Sequence, residues 1–125
     1  MKRMIPLLLS LLLLTGCGGN SADGYQQISQ DEAKEMMDTQ EVIILDVREQ
    51  DEYDSGHIPG AVILPVGTID ETTAAKVIPE KDSTVLVYCR SGNRSKTASA
   101  ALAELDYTNI YEFGGISTWL YETEP

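Results

Sequence analysis

The run Cys89-Arg90-Ser91-Gly92-Asn93-Arg94-Ser95 sets one thiol among two arginines, two serine hydroxyls and a glycine. An anion cradle needs those residue types. The apolar run Thr84-Val85-Leu86-Val87-Tyr88 precedes the thiol and a helix-like stretch from Lys96 to Leu105 follows it, so Cys89 falls where a strand turns into a helix. At such a junction the backbone N–H groups of the loop and first helical turn lack intrahelical partners, and the helix dipole adds partial positive charge. A free thiol with a pKa near ~8.5 is only about 3% ionised at neutral pH, whereas lowering it by about two units makes it mostly thiolate. Arg90 and Arg94 push the same way. The competing reading makes Cys89 a small hydrophobe that ends a core strand, the commoner fate of a free cysteine. The glycine, hydroxyl and arginine neighbours favour a reactive thiol.

The elements that must position this loop are legible as alternating apolar and helical stretches. Val42-Ile43-Ile44-Leu45, Ala61-Val62-Ile63-Leu64 and Thr84 to Tyr88 have the composition of strands buried on both faces, with Tyr25 to Ile28 and Asn109 to Phe113 as weaker edge candidates. Ser29 with Glu32 makes a capping box for a helix to about Asp38; shorter helices are expected over Glu49 to Ser55 and Asp70 to Val77, and the clearest over Ser95 to Leu105. This alternation predicts an α/β domain with a central, mainly parallel, five-stranded sheet flanked by helices. Sites in such sheets collect at the carboxyl ends of strands, where Cys89 lies.

The ends carry a different message. Lys2 and Arg3 precede an apolar stretch from Ile5 to Leu14, half the ~20 residues a membrane-spanning helix requires, and Leu14-Thr15-Gly16-Cys17 follows. That is the layout of an export leader, and its last four residues resemble the lipobox of bacterial lipoproteins. The resemblance implies cleavage before Cys17 and a diacylglyceryl group on its sulfur, whose two chains anchor the protein stably to a membrane. The expected organisation is a signal peptide over 1–16, a flexible tether over 17–26 and one domain over 27–125. Lipidation of Cys17 leaves Cys89 as the only thiol, so no internal disulfide can form, and an unpaired cysteine outside the cytoplasm favours a use for its reactivity. Loss of Lys2 and Arg3 takes the formal charge from −11 to −13. So acidic a body argues against nucleic-acid binding and against electrostatic attachment to anionic lipid, and the anchor places the protein in the cell envelope.

Four segments taken together resemble the rhodanese family of sulfurtransferases: Leu45-Asp46-Val47-Arg48; Glu52-Tyr53 followed by Gly56-His57-Ile58-Pro59-Gly60-Ala61; the loop Cys89 to Ser95; and Gly114-Gly115-Ile116 leading to Trp119. The resemblance runs from about Ser29 to Leu120 and implies a single three-layer rhodanese-like domain in which Cys89 carries sulfur. Only four residues separate Cys89 from Arg94, whereas the related cell-cycle phosphatases place five between their cysteine and arginine. A ring of amides one residue shorter suits a terminal sulfane sulfur better than a tetrahedral phosphate. The expected chemistry is a ping-pong transfer from a small donor such as thiosulfate or a polysulfide, through a Cys89 persulfide, to a thiophilic acceptor such as cyanide, a small thiol or a protein cysteine. A non-enzymatic sulfur carrier or partner-docking module is the alternative, and a thiolate-based phosphatase or arsenate reductase a third reading.

In this scheme the loop from Arg90 through Ser91, Gly92, Asn93, Arg94 and Ser95 binds the substrate and holds the persulfide's charge as an oxyanion hole holds oxygen. Arg90 meets an anionic donor. Arg94 either does the same or turns to an acid such as Glu52 to brace the loop, with bracing the favoured reading. Ser95 either donates to sulfur or caps the helix. Asp46 and Arg48 are expected to pair in support. His57, the only histidine, sits in a turn the resemblance marks as structural, and a preformed thiolate needs no base. One histidine and one available cysteine fall short of a metal's usual ligand set, and no cofactor is implied. Trp119 is expected to pack where a last helix closes over the sheet. The oligomeric state is left open.

Overall fold

The computed structural model describes residues 24–125; the expected leader and Cys17 lie outside the described residues. Five parallel strands, β1 (Gln26–Gln27), β2 (Ile43–Asp46), β3 (Val62–Ile63), β4 (Val85–Cys89) and β5 (Ile110–Gly115), form one sheet in the order β1-β5-β4-β2-β3. Helices α1 (Gln30–Thr39), α2 (Gln50–Ser55), α3 (Glu71–Val77) and α4 (Asn93–Glu104) connect them, with 3-10 turns at Val66–Thr68 and Ile116–Thr118. The α/β layering expected from the sequence is present. Tyr25 is buried and Gln26 already pairs with β5, so the folded part begins ahead of the expected boundary at residue 27.

Strand β4 shows how the layers arise. All five of its residues are buried, and their alternation divides the core in two. Val85, Val87 and Cys89 join Leu45, Ala74 of α3 and Ala98 and Leu102 of α4 on one face. Leu86 and Tyr88 join Ala33 of α1, Ile44, Ile58 and Phe113 on the other. The thiol therefore points to the side covered by α4. Each valine, leucine, isoleucine or phenylalanine side chain fully removed from water here contributes about 1.5–3 kcal/mol, which is why short strands suffice in the centre.

The helix starts follow local chemistry. Ser29 Oγ accepts from the Glu32 N–H at 3.0 Å while the Glu32 carboxylate accepts from the Ser29 N–H at 3.1 Å. Asp70 and Thr73 do the same for α3. Helix α4 begins two residues before the expected Ser95: Gly92, at φ +108°, is its N-cap, and Ser95 lies one turn inside. Ser95 is thus not a cap. The edge strands are shorter than their apolar runs; past β3, Leu64 N–H donates to Asp46 O at 2.9 Å and Val66 N–H to Val47 O at 3.0 Å, with Pro65, which has no N–H to give, between them. After β5 there is a 3-10 turn where the sequence predicted a closing helix, and Trp119 packs against Phe113 with ring centroids 5.5 Å apart.

Candidate active site

The sulfur is held at the point where β4 ends. Cys89 is 1% exposed, and its Sγ receives the Gly92 N–H at 3.0 Å and lies 3.4 Å from Ser95 Oγ. Burial pushes its pKa up, but the hydrogen bonds around the sulfur, among them those of the Ser95, Gly92 and Ser91 N–H groups, outweigh that and lower it below the ordinary thiol value. Cys89 has both properties that the sequence set against each other: it is a core residue and it is acidified. Around it Ser95 and Gly92 are buried, while Arg90, Ser91 and Asn93 are exposed at the rim.

The loop can wrap this tightly because β5 gives way beneath it. Val87 is level with Glu112 but Cys89 with Gly115, so β5 carries one extra residue between these pairs. A Cβ on Gly115 would stand 2.1 Å from the Arg90 carbonyl oxygen, and only glycine lets the two backbones meet. The Arg90 carbonyl in turn accepts the Ser117 N–H at 3.0 Å, and Gln30 Nε2 donates to Phe113 O at 3.1 Å and Gly115 O at 2.9 Å, pinning the bulge.

Each predicted supporting residue has a definite place. Arg94 turns to Glu52, with Nη1–Oε1 at 2.8 Å and Nη2–Oε2 at 3.0 Å, the bracing arrangement of the two considered. With the Arg94 guanidinium and the Glu49 N–H as donors, the Glu52 carboxyl is held down at about 2. Arg90 extends into solvent, 70% exposed along its side chain and 3.9 Å from Glu52. Asp46 and Arg48 pair in the interior, with Arg48 Nε and Nη2 at 2.9 and 2.7 Å from the Asp46 oxygens, and Nη2 also bonds Gly56 O at 2.7 Å. Burial works against the Arg48 charge, yet Asp46 raises its pKa overall. The Tyr88 hydroxyl completes this pair, donating to Asp46 at 2.6 Å and accepting from the Ile58 N–H at 3.1 Å. His57 stacks on Tyr53 with centroids 3.8 Å apart, and its Nδ1 is 2.9 Å from Tyr53 O. It belongs to the wall of the domain, where its backbone bridges to Glu124 and its Nε2 lies 3.5 Å from the Glu124 carboxylate.

The sequence reading missed one charged group. Glu112 of β5 is 3% exposed and its Oε2 lies 2.5 Å from Ser95 Oγ. Its position could have been read from period-two alternation, since Ile110 faces the core and Glu112 follows it on the same side of a sheet covered on both faces.

Against known proteins, residues 29–122 match the family model of the rhodanese-like domain. The chain is 35% identical over 96 residues to a thiosulfate sulfurtransferase, GlpE, of Coxiella burnetii, covering 76% of this chain and 87% of that one. It is 38% identical over 72 residues to the thiosulfate sulfurtransferase PspE of Escherichia coli, covering 58% and 68% respectively. A solved structure described as a rhodanese with anions from E. coli superposes with a TM-score of 0.62 at 30% identity, over 67% of this chain and 98% of that one. The chain belongs to the rhodanese-like domain family. Its enzyme class is that of a rhodanese-type sulfurtransferase.

Proposed function

We propose that the protein moves sulfane sulfur from a small anionic donor, such as thiosulfate or a polysulfide, to a thiophilic acceptor through a persulfide on Cys89. The observation that carries this is the buried sulfur at the end of β4, wrapped by loop amides, with the Gly92 N–H donating to it at 3.0 Å and its pKa lowered. The Cys89 thiolate attacks the outer sulfur of thiosulfate, the sulfur–sulfur bond of the donor breaks, and sulfite leaves with the bonding electron pair. The anionic terminal sulfur of the persulfide then rests against the loop amides. Attack by cyanide on that sulfur forms thiocyanate and returns the thiolate. Arg90, exposed at the rim and only 3.9 Å from Glu52 at its nearest, is placed to draw in an anionic donor across an otherwise acidic protein.

The test combines turnover with mass. Thiosulfate alone should add one sulfur atom to the peptide containing Cys89, cyanide should remove it as thiocyanate, and Cys89→Ser should abolish both. Thiocyanate formation that survives Cys89→Ser refutes the reading. Aryl phosphate hydrolysis blocked by the same substitution would favour a phosphatase instead.

The same reading places the protein in the cell envelope, exported and held by a lipid on Cys17, with its donor and acceptor met outside the cytoplasm. A protein thiol is one acceptor open to it. The support is the charged front, the ten-residue apolar stretch and the Leu14-Thr15-Gly16-Cys17 motif.

A further inference from the structure

Glu112 is level with Val87 in the sheet and shares the face of Cys89. Its Oε2 accepts from Ser95 Oγ at 2.5 Å and from the Gly114 N–H at 2.9 Å, and its Oε1 accepts from Gln27 Nε2 at 3.2 Å. A carboxylate this deeply buried persists only when donors surround it, and here three do. One of them has two further neighbours, because the same Ser95 oxygen stands 3.4 Å from Cys89 Sγ and 3.4 Å from the Gly114 carbonyl oxygen. A serine hydroxyl has a single hydrogen. Between a carboxylate at 2.5 Å and the sulfur or carbonyl at 3.4 Å, the short charge-assisted bond prevails. The lone pairs of Ser95 then face the sulfur, and any hydrogen between Ser95 and Cys89 comes from the thiol.

We propose that Glu112 is a positioning residue that claims the one hydroxyl hydrogen of Ser95 and so withholds it from Cys89, leaving the loop N–H groups alone to favour the thiolate. This rests on the reading of Cys89 as the reactive sulfur. Glu112 touches no substrate; it acts by setting the direction of one hydrogen bond, with its charge adding repulsion against a thiolate. Without that claim, the Ser95 hydrogen turns to the sulfur; where the sulfur is still protonated, the S–H bond breaks, its proton passes to water, and O–H···S⁻ replaces S–H···O. The other charged groups around the cradle are paired among themselves: Arg94 and Arg90 with Glu52, Arg48 with Asp46. Tyr88 is engaged by Asp46 on the opposite face, and β1 brings only the neutral Gln27 to Glu112.

The test is the pH profile of Cys89 alkylation by iodoacetamide in the full chain, read on the tryptic peptide Asp82–Arg90, which separates it from Cys17. Glu112→Gln should lower the midpoint by about one pH unit, giving ~tenfold more thiolate well below both midpoints. In a Ser95→Ala background the same substitution should move the midpoint by less than half as much. A midpoint that stays or rises in folded Glu112→Gln overturns the proposal, and so does a full shift without Ser95, since the carboxylate would then act directly. Glu112→Asp keeps the charge and withdraws the carboxylate by one methylene, so it should also lower the midpoint; an unchanged or higher value overturns the proposal even if the glutamine variant fails to fold. Thiocyanate formation by the unaltered protein separates the two levels. If it turns over and the midpoints do not move, only the role of Glu112 falls; if it does not, the sulfur-transfer reading falls and takes this one with it.

Discussion

Glu52 ties the second helix to the cradle, and acid should untie it. Its carboxylate serves the Glu49 N–H at 3.0 Å and both Arg94 nitrogens, which hold its pKa near 2 rather than the usual 4.5. A folded value below the unfolded one means that the stabilisation is complete above the unfolded pKa and is lost as pH falls through about 2. Denaturant unfolding between about pH 5 and 2 should therefore show a falling stability that Glu52→Gln flattens, with the variant ~1 kcal/mol less stable at neutral pH after allowing for the partial exposure of Arg94. Equal pH slopes in the two proteins would contradict this. Ser99 offers the opposite case. Its hydroxyl is buried in α4 with no hydrogen-bond partner among the described residues, so Ser99→Ala removes an unsatisfied polar group. The variant should be as stable as the parent or up to ~1 kcal/mol more so in the same denaturant measurement.

At the scale of elements, the parts that local chemistry decides were legible and those that depend on register were not. The Ser29-Glu32 box, the uninterrupted apolar run of β4 and the turn around Gly92 each announce themselves in a few adjacent residues. The extra residue in β5 does not, because it exists only in relation to β4, where Cys89 lies level with Gly115. The same holds for Glu112: nothing next to it in the chain says that Ser95, seventeen residues away, will meet it. Arg94 was open between two partners for the reason that the sequence fixes its distance from Cys89 but not the approach of α2. The bulge has its own test. Gly115 has an extended backbone that any residue can adopt, so Gly115→Ala acts through space alone, driving a methyl into the Arg90 peptide. Overpacking of this kind costs about 1–3 kcal/mol, and relief by shifting the peptide would displace the loop that holds the sulfur. Sulfur transfer should fall more than stability accounts for, visible as lower kcat in protein that remains folded by circular dichroism. Full kcat with reduced stability would show the loop to be indifferent to the bulge.

For the whole molecule, the proposed lipid on Cys17 poses the question of how so acidic a protein would stay at a membrane. Every residue of the cradle and its supports, from Gln27 to Ser117, lies in the described domain, and the sheet that carries them is covered on both faces by its own helices and turns. Charge gives the body no attraction to anionic lipid, since the sequence carries 20 acidic against 9 basic residues. In the proposed reading attachment comes from the diacylglyceryl group on Cys17, and chemistry and anchoring should separate cleanly. In cells expressing the full chain, the parent protein should enter the membrane fraction and partition into detergent, resisting extraction by high salt. Cys17→Ala should move it to the soluble fraction while the purified protein keeps its rate of thiocyanate formation, because the two acyl chains contribute to location and not to the geometry at Cys89. Membrane retention of Cys17→Ala would remove the lipid from the account, and a lost activity would mean that the site depends on more than the domain that surrounds it.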